Sequence, residues 1–357
     1  MNRIAFSALA AFAFSTGADA APVPREPIDP KAVALPAKAF LWFTQGKWRI
    51  FRSETPTYLE ATDKTKACTV RYYLAPLGVE SGRLIYEAEC ARFGGWQPVW
   101  VAEDRSVLFR SGSVHAWYDP KKVPLALTGG EKGLGQIKIP GTEGGAHIHV
   151  ANELGAVVSA SVQLEGPYYS EPLFFVPLDG KEFLPEKAVR LSDHYTHSFE
   201  WNIKIDGHRV AWGEGVYDTK AKDKWSPLPA KRKPELRALS GDTAVYEALA
   251  DKGEAGDKEL IAFDLATHKV LSAGPRKPNE LLVVARDRTG LFFRATGAGT
   301  EWEVFARDLA DSKAKELFAA PIGKLDSVPK YFITREGVQF FQGDRIKAVG
   351  WNTKSEK

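Results

Sequence analysis

One arrangement of apolar and polar positions recurs along this chain. An apolar, aromatic-rich stretch of three or four residues runs into a short turn carrying Gly, Asp or Asn, and a second apolar stretch follows at once. Phe40–Phe43 leads through Gln45-Gly46 into Trp48–Phe51, and Val99–Val101 leads through Glu103-Asp104 into Val107–Phe109. His147–Val150 leads through Asn152 into Val157-Val158, and Trp201–Ile203 leads through Asp206-Gly207 into Val210–Trp212. Leu236–Leu239 leads through Gly241-Asp242 into Ala244–Tyr246, Leu281–Val284 through Asp287 into Leu291–Phe293, and Tyr331–Ile333 through Glu336-Gly337 into Val338–Phe341. The turn residues tolerate positive φ, which tight hairpins require. The pattern predicts seven β-hairpins spaced 34 to 58 residues apart.

Further strands follow most hairpins. Val114–Tyr118, Leu173–Asp179, Leu260–Asp264 and Glu303–Asp308 each end in a polar turn, and short apolar pieces trail them at Leu125–Leu127, Phe183-Leu184, Val270-Leu271 and Leu317-Phe318. Four strands in each 40 to 50 residues is the blade unit of a propeller, on the order of one blade per turn signal. A blade cannot bury both its faces alone, so blades must stack about an axis. The expected fold is all-β, a β-propeller of seven four-stranded blades. A large β-sandwich is the competing fold, and it gives no reason for one strand order to recur seven times. The 34 residues between Gly207 and Gly241 are short for a blade, which keeps six- or eight-bladed counts open. The last repeat also ends early. Ala32–Leu35, after a Pro-rich leader, is expected to supply its missing outer strand and so close the ring without a free edge.

Ahead of the repeats, residues 1–20 read as a secretory signal. Arg3 gives a positive start, Ile4–Phe14 is apolar, and Ala18-Asp19-Ala20 has the form of a cleavage site. The mature part, residues 21–357, is then a single domain in the periplasm or outside the cell. The apolar run is too short to span a bilayer, and no other segment is long enough. Cys68 and Cys90 are the only cysteines, and in an exported chain an even pair points to one disulfide. The loop closed is about 20 residues, worth roughly 3 kcal/mol on the chain-entropy account. With 48 basic and 45 acidic residues, the chain lacks the basic excess of a nucleic-acid binder.

The hairpin followed by a strand ending in Asp264-Leu265-Ala266-Thr267-His268-Lys269 resembles the blade repeat of TolB-like, WD40-like propellers. That repeat has an Asp-Gly turn and a strand ending Asp-x-x-Thr-Gly-Lys. Here the full Asp-Gly turn occurs only at Asp206-Gly207, and His268 stands where the family has Gly. The resemblance implies that the first strand of each repeat lines the central channel, and that the protein presents a rigid face to a protein partner.

No Gly-x-Ser-x-Gly elbow, His-Glu-x-x-His, Cys-x-x-Cys pair or phosphate loop is present. The glycine-rich stretch Gly129–Gly135 reads as a loop between blades. His147 and His149 alternate on one strand and so share a face, while His194 and His197 precede the first strand of the next repeat. If both groups reach the channel, they form a candidate site for a divalent transition metal, with Asp193 beside them. No other cofactor is indicated. Trp42, Trp100 and Trp201, in first strands, are candidate binding aromatics, with packing between blades as the alternative. Lys220, Lys222, Lys224, Lys231, Arg232, Lys233 and Arg237 surround Trp225 and would suit an anionic glycan, a lipid headgroup or an acidic partner, or form a solvated loop. These features give two expectations: an exported protein-binding or scaffold propeller, and a metal-dependent, polysaccharide-active lyase or glycosidase with a histidine site.

Overall fold

The computed structural model describes residues 31–36, 39–45, 48–55, 68–76, 79, 81–89, 95–119, 134–164, 169–193, 203–251, 257–275, 280–286, 289–296, 301–309, 318–324, 331–334, 337–342 and 345–350. Among them the chain forms seven antiparallel sheets in strict chain order. Sheet one holds β1 (Val33–Ala34), β2 (Phe40–Gln45), β3 (Trp48–Thr55), β4 (Thr69–Pro76) and β5 (Ser81–Glu89). Sheet two holds β6 (Gln97–Val101), β7 (Val107–Ser111), β8 (Val114–Tyr118) and β9 (Gly135–Gln136). Sheet three holds β10 (Glu143–Asn152), β11 (Gly155–Gln163), β12 (Tyr169–Ser170), β13 (Leu173–Asp179), β14 (Glu182–Phe183) and β15 (Val189–Arg190).

Sheet four is β16 (Lys204–Asp206), β17 (Arg209–Trp212), β18 (Gly215–Asp218) and β19 (Asp223–Trp225). Sheet five is β20 (Glu235–Ser240), β21 (Thr243–Leu249), β22 (Lys258–Asp264) and β23 (Lys269–Pro275). Sheet six is β24 (Glu280–Arg286), β25 (Thr289–Thr296), β26 (Glu301–Asp308) and β27 (Phe318–Lys324). Sheet seven holds β28 (Tyr331–Thr334), β29 (Gly337–Gln342) and β30 (Arg345–Gly350).

The sheets stack face to face, and the burial pattern shows why. The second strands of sheets two to six are buried on both sides at their centres, so they read as continuous apolar runs rather than alternating ones. On β21, Ala244 and Tyr246 pack with Ala211 and Val216 of sheet four, while Val245 packs with Leu282 and Phe292 of sheet six. On β11, Ala156 and Val158 face Trp100 and Leu108 of sheet two, and Val157 faces Ile203 and Val210 of sheet four. Tyr72, Tyr86 and Phe109 join sheets one and two in an aromatic cluster with ring centroids 5.6–6.1 Å apart. Neighbouring first strands also meet: β6 with β10, β10 with β16, β16 with β20, β20 with β24, and β28 with β2. The last contact returns the chain to its start. The fold is an all-β propeller, with the first strands innermost.

Five innermost strands share a feature that residue patterns did not reveal. The register slips between Leu41 and Phe43, Pro98 and Trp100, Ile148 and Val150, Leu236 and Ala238, and Leu282 and Val284. A bulge thus sits at one height in five sheets, with Trp42, Val99, His149, Arg237 and Val283 as the extra residues.

Two expectations are corrected, and one open question about a short interval is answered. Val33 and Ala34 pair with Gly82 and Ser81 of β5, so this segment extends sheet one and does not complete the last sheet. There it covers the outer edge of β5, whose backbone groups would otherwise be unpaired. Among the described residues the outer strand of sheet two is Gly135–Gln136, from the glycine-rich stretch read as a loop, and Leu125–Leu127 lies outside them. A Cβ at Gly135 would lie 2.5 Å from His115 Nε2, so glycine is what lets the strand approach. The 34-residue interval holds four strands because each is only three or four residues long. Gly215 makes its tight turn beneath Trp212, where a Cβ would lie 2.3 Å from Cζ2.

Candidate functional site

In each blade the turn between strands one and two lies at the same end of the ring as the turn between strands three and four. At this end, side chains of one sheet reach the next from sheet one through sheet five. Arg105, at φ 71° in the turn after β6, lies over the Trp48 ring at 5.0 Å. Lys181, in the turn after β13, donates to Asp104 Oδ2 at 2.8 Å and Ser106 Oγ at 2.5 Å, while its carbonyl accepts from Trp117 Nε1 at 3.0 Å. Asn152 Nδ2 donates to the Gly207 carbonyl at 2.7 Å, and its Oδ1 accepts from the Leu154 amide at 3.0 Å. Asp206 Oδ2 accepts from the Gly241 amide at 2.7 Å. Buried Arg209 donates to Asp218 Oδ2 at 2.6 Å within sheet four and to Asp242 Oδ1 at 2.9 Å in sheet five. Trp225 stacks on His268, centroids 4.2 Å apart.

The electrostatics follow from these contacts. For Asp104, burial works against ionisation, but Lys181 and Ser106 outweigh it and lower the carboxyl to about 2. Asp218 is likewise lowered: the Ala221 and Lys220 amides, then Arg209 and His208, overcome its desolvation. The result is a surface of turn tips held in place by ionised, hydrogen-bonded carboxylates.

Nearer the axis, the predicted histidines are engaged by the protein. His147 Nε2 lies 2.6 Å from Arg110 Nη1, and its Nδ1 lies 3.0 Å from the Gly112 carbonyl. A guanidinium only donates, so Nε2 is the acceptor and Nδ1 carries the hydrogen. The lone pair a metal would need therefore faces a fixed positive charge. His149 Nε2 pairs with Ser159 Oγ at 3.0 Å, and the two imidazoles meet edge-on at 4.9 Å. His194 and His197 lie outside the described residues. Asp193 pairs with Arg190 at 3.0 Å. Among the described residues no group of three His, Cys, Asp or Glu side chains converges to hold a metal ion.

Of the tryptophans, Trp42 is the bulged residue of β2 and lies beneath Arg52 at 4.9 Å. Trp100 is buried and packs edge-on against Trp117 at 5.4 Å, and Trp201 lies outside the described residues. The basic run disperses. Arg232 is buried, donating to the Leu249 carbonyl at 2.7 Å and to Glu259 at 2.7 Å, and Arg237 sits on an innermost strand, while Lys220 and Lys222 are exposed. Cys90 lies outside the described residues. The last pair of the β4–β5 ladder is Thr69 with Glu89, so the two cysteines come next on either strand.

Sequence reasoning passed over the acidic residues as scattered, yet the fold gathers them. In sheet five Glu247, almost fully buried, accepts from Lys258 at 2.7 Å and Arg237 at 3.1 Å, and Arg237 also donates to Glu235 at 2.6 Å. In sheet six Glu280, equally buried, lies 3.4 Å from Arg307 and 3.7 Å from Arg294, and Arg294 pairs with Glu303. The signal for this is cross-strand register, which places Glu235 opposite Glu247 and Arg294 opposite both Glu280 and Glu303.

No family model matches the chain, and no curated protein does. The TolB-like repeat therefore stays a resemblance. Solved structures similar to it include the β-propeller domain of the trilobed protease from Pyrococcus furiosus, at 15% identity and TM-score 0.44, covering 78% of this chain and 84% of that one. Another is Hsv2 of Kluyvelomyces marxianus, at 9% identity and TM-score 0.40, covering 77% of this chain and 85% of that one. At such identities nothing about activity transfers.

Proposed function

We propose that this chain is an exported propeller that holds a protein partner on its turn face, in the periplasm or at the cell exterior, with Cys68 and Cys90 joined as a disulfide. The observation that carries the reading is the cross-linking of that face from sheet one to sheet five. Turn tips already fixed by Asn152, Asp206, Arg209 and Lys181 lose little freedom when a partner docks, so more of the contact energy appears as affinity. Among the described residues the tips are mostly polar, and Leu154 is a large apolar side chain exposed there. A mixed surface of this kind is ordinary for a non-obligate protein interface. Seven blades closed by the meeting of β28 with β2 complete the reading. Among the described residues, Arg110 lies against the nitrogen of His147 that a metal would need, and no group there supports the metal-dependent alternative.

The test is site-specific photo-crosslinking in the producing cell. A photoreactive residue at Leu154 should give discrete adducts with a second protein. The same residue at Tyr169, at the far end of β11, should give none. Equal adducts at both positions, or none at Leu154, overturns the proposal. N-terminal sequencing of the exported chain should begin at Ala21, and thiol titration should find no free cysteine before reduction and two after it.

A further inference from the structure

The chain passes from the outer edge of sheet two to the innermost strand of sheet three through the space between those sheets, and a histidine supports the start of that crossing. From β9, residues 137–142 run back to β10. Ile137 and Ile139 are buried on the way, with Trp100 and Leu108 of sheet two and Ile148, Phe174 and Phe183 of sheet three. The Ile137 carbonyl accepts from the Ala146 amide at 2.8 Å, which fixes the inner end. His115 stands at the outer end. It lies opposite Gly135 in the β8–β9 ladder, and its ring presses on that glycine: a Cβ there would lie 2.5 Å from Nε2 and 2.6 Å from Cε1. The same ring meets Phe183 of β14 edge-on, with centroids 5.1 Å apart.

Nothing around this imidazole would stabilise a positive charge on it. Among the described residues neither ring nitrogen has a hydrogen-bond partner, and no carboxylate pairs with it. Arg110, opposite it on β7, is itself a cation, held by Ile148, Gln97 and His147. Lys181 reaches away to Asp104, and exposed Glu182 leaves β14 on the side opposite Phe183. Lys138, Glu143, Glu186 and Lys187, on the neighbouring segments, are exposed. Asp119 is four residues along the chain from His115, about 13 Å at strand spacing. Burial lowers the His115 pKa, so the docked ring stays neutral where a free imidazole is half charged.

We propose that His115 is an acid-sensitive latch on the contact between sheets two and three: as a neutral ring it holds β9 and the outer end of the crossing in place, and protonation releases them. Once detached, the segment leaves the imidazole in water, where it binds a proton more readily than when docked. Docking is therefore complete above about pH 7.5 and weakens as pH falls through about 6.5, the ordinary imidazole value. The latch acts whatever the turn face holds.

Hydrogen exchange of the purified protein, corrected for the intrinsic effect of pH on exchange, tests it. Protection of residues 134–139 should fall at least about threefold between about pH 7.5 and 5.5, while that of β21, remote from the latch, should hold. In His115→Gln, which is neutral throughout, protection of residues 134–139 should be the same at both pH values. In the natural chain the His115 ring, followed by NMR, should titrate below the free imidazole value. A smaller fall in the natural chain, an equal fall in a folded His115→Gln, or a His115 ring that titrates at or above the free value overturns the proposal.

Discussion

The turn face and the charged end of sheets five and six use the same chemistry in opposite ways. At the turn face, Asn152, Asp206, Arg209 and Lys181 reach from one sheet to the next, and the acceptors are partly in water: Asp242 and Asp104 have side chains 51% and 58% exposed. In sheets five and six the ion pairs run within each sheet, around Glu247 and Glu280, which are 3% and 2% exposed. The first arrangement fixes how blades sit against one another. The second satisfies charges that each sheet has buried. Exposure sets the size of the energies, since screening and hydration erase much of a surface pair but little of a buried one.

That comparison can be broken most severely at Glu247. Replacing it with Ala takes from Arg237 and Lys258 the buried acceptor they share, leaving Glu235 to both, and about 3–5 kcal/mol of stability should be lost. Urea denaturation checks this, and a loss under about 1 kcal/mol would mean that the buried pairs are hydrated in solution. A middle effect is expected at Arg209, which is buried but has one exposed partner. Arg209→Ala should lose about 1.5–3 kcal/mol, the range for a hydrogen bond to a charged group. The same denaturation curve measures it, and the tie between sheets four and five should loosen, seen as faster hydrogen exchange of the Gly241 amide.

The smallest effect is expected at Asp104, where pH sharpens the comparison. Its folded pKa, about 2, lies below the usual carboxylate value near 3.9. The carboxylate therefore stabilises the fold fully above pH 4–5 or so and loses that contribution as pH falls toward 2. Asp104→Asn should cost less than about 1 kcal/mol at neutral pH, because the pair with Lys181 is exposed. The difference between variant and natural chain should close on acidification, as read from melting temperatures across that pH range. A difference that persists unchanged at pH 2 would show that the charge of Asp104 is not what stabilises the turn.

Repeating hairpins, turn residues and apolar runs determined most of the architecture. Local periodicity and turn chemistry act over a few residues, so strand positions such as Leu236–Leu239 and Leu173–Asp179 could be read directly. The doubly buried second strands were readable for the same reason, as runs without alternation. What the sequence left undecided depended on contacts between distant residues. The bulge at one height in five innermost strands has no single residue signature: Trp, Val, His, Arg and Val occupy it. The described fourth strand of sheet two is Gly135–Gln136, where the absence of a Cβ lets the backbone pass His115.

The candidate sites divide along the same line. Residue type and alternation placed His147 and His149 together, as the structure does. Whether an imidazole nitrogen is free depends on a neighbour 37 residues away, Arg110, which no local pattern announces. Trp100 could be read as a binding aromatic or as packing, and its place between sheets two and three decided for packing. The cross-linked turns arise where strands from different repeats meet, and the buried carboxylates where the strands of one sheet are set in register. Spacing along the chain carries no information about those meetings, because they are set by register and by the stacking of whole sheets. Composition and periodicity fixed the kind of fold, and tertiary packing decided which polar groups found partners within it.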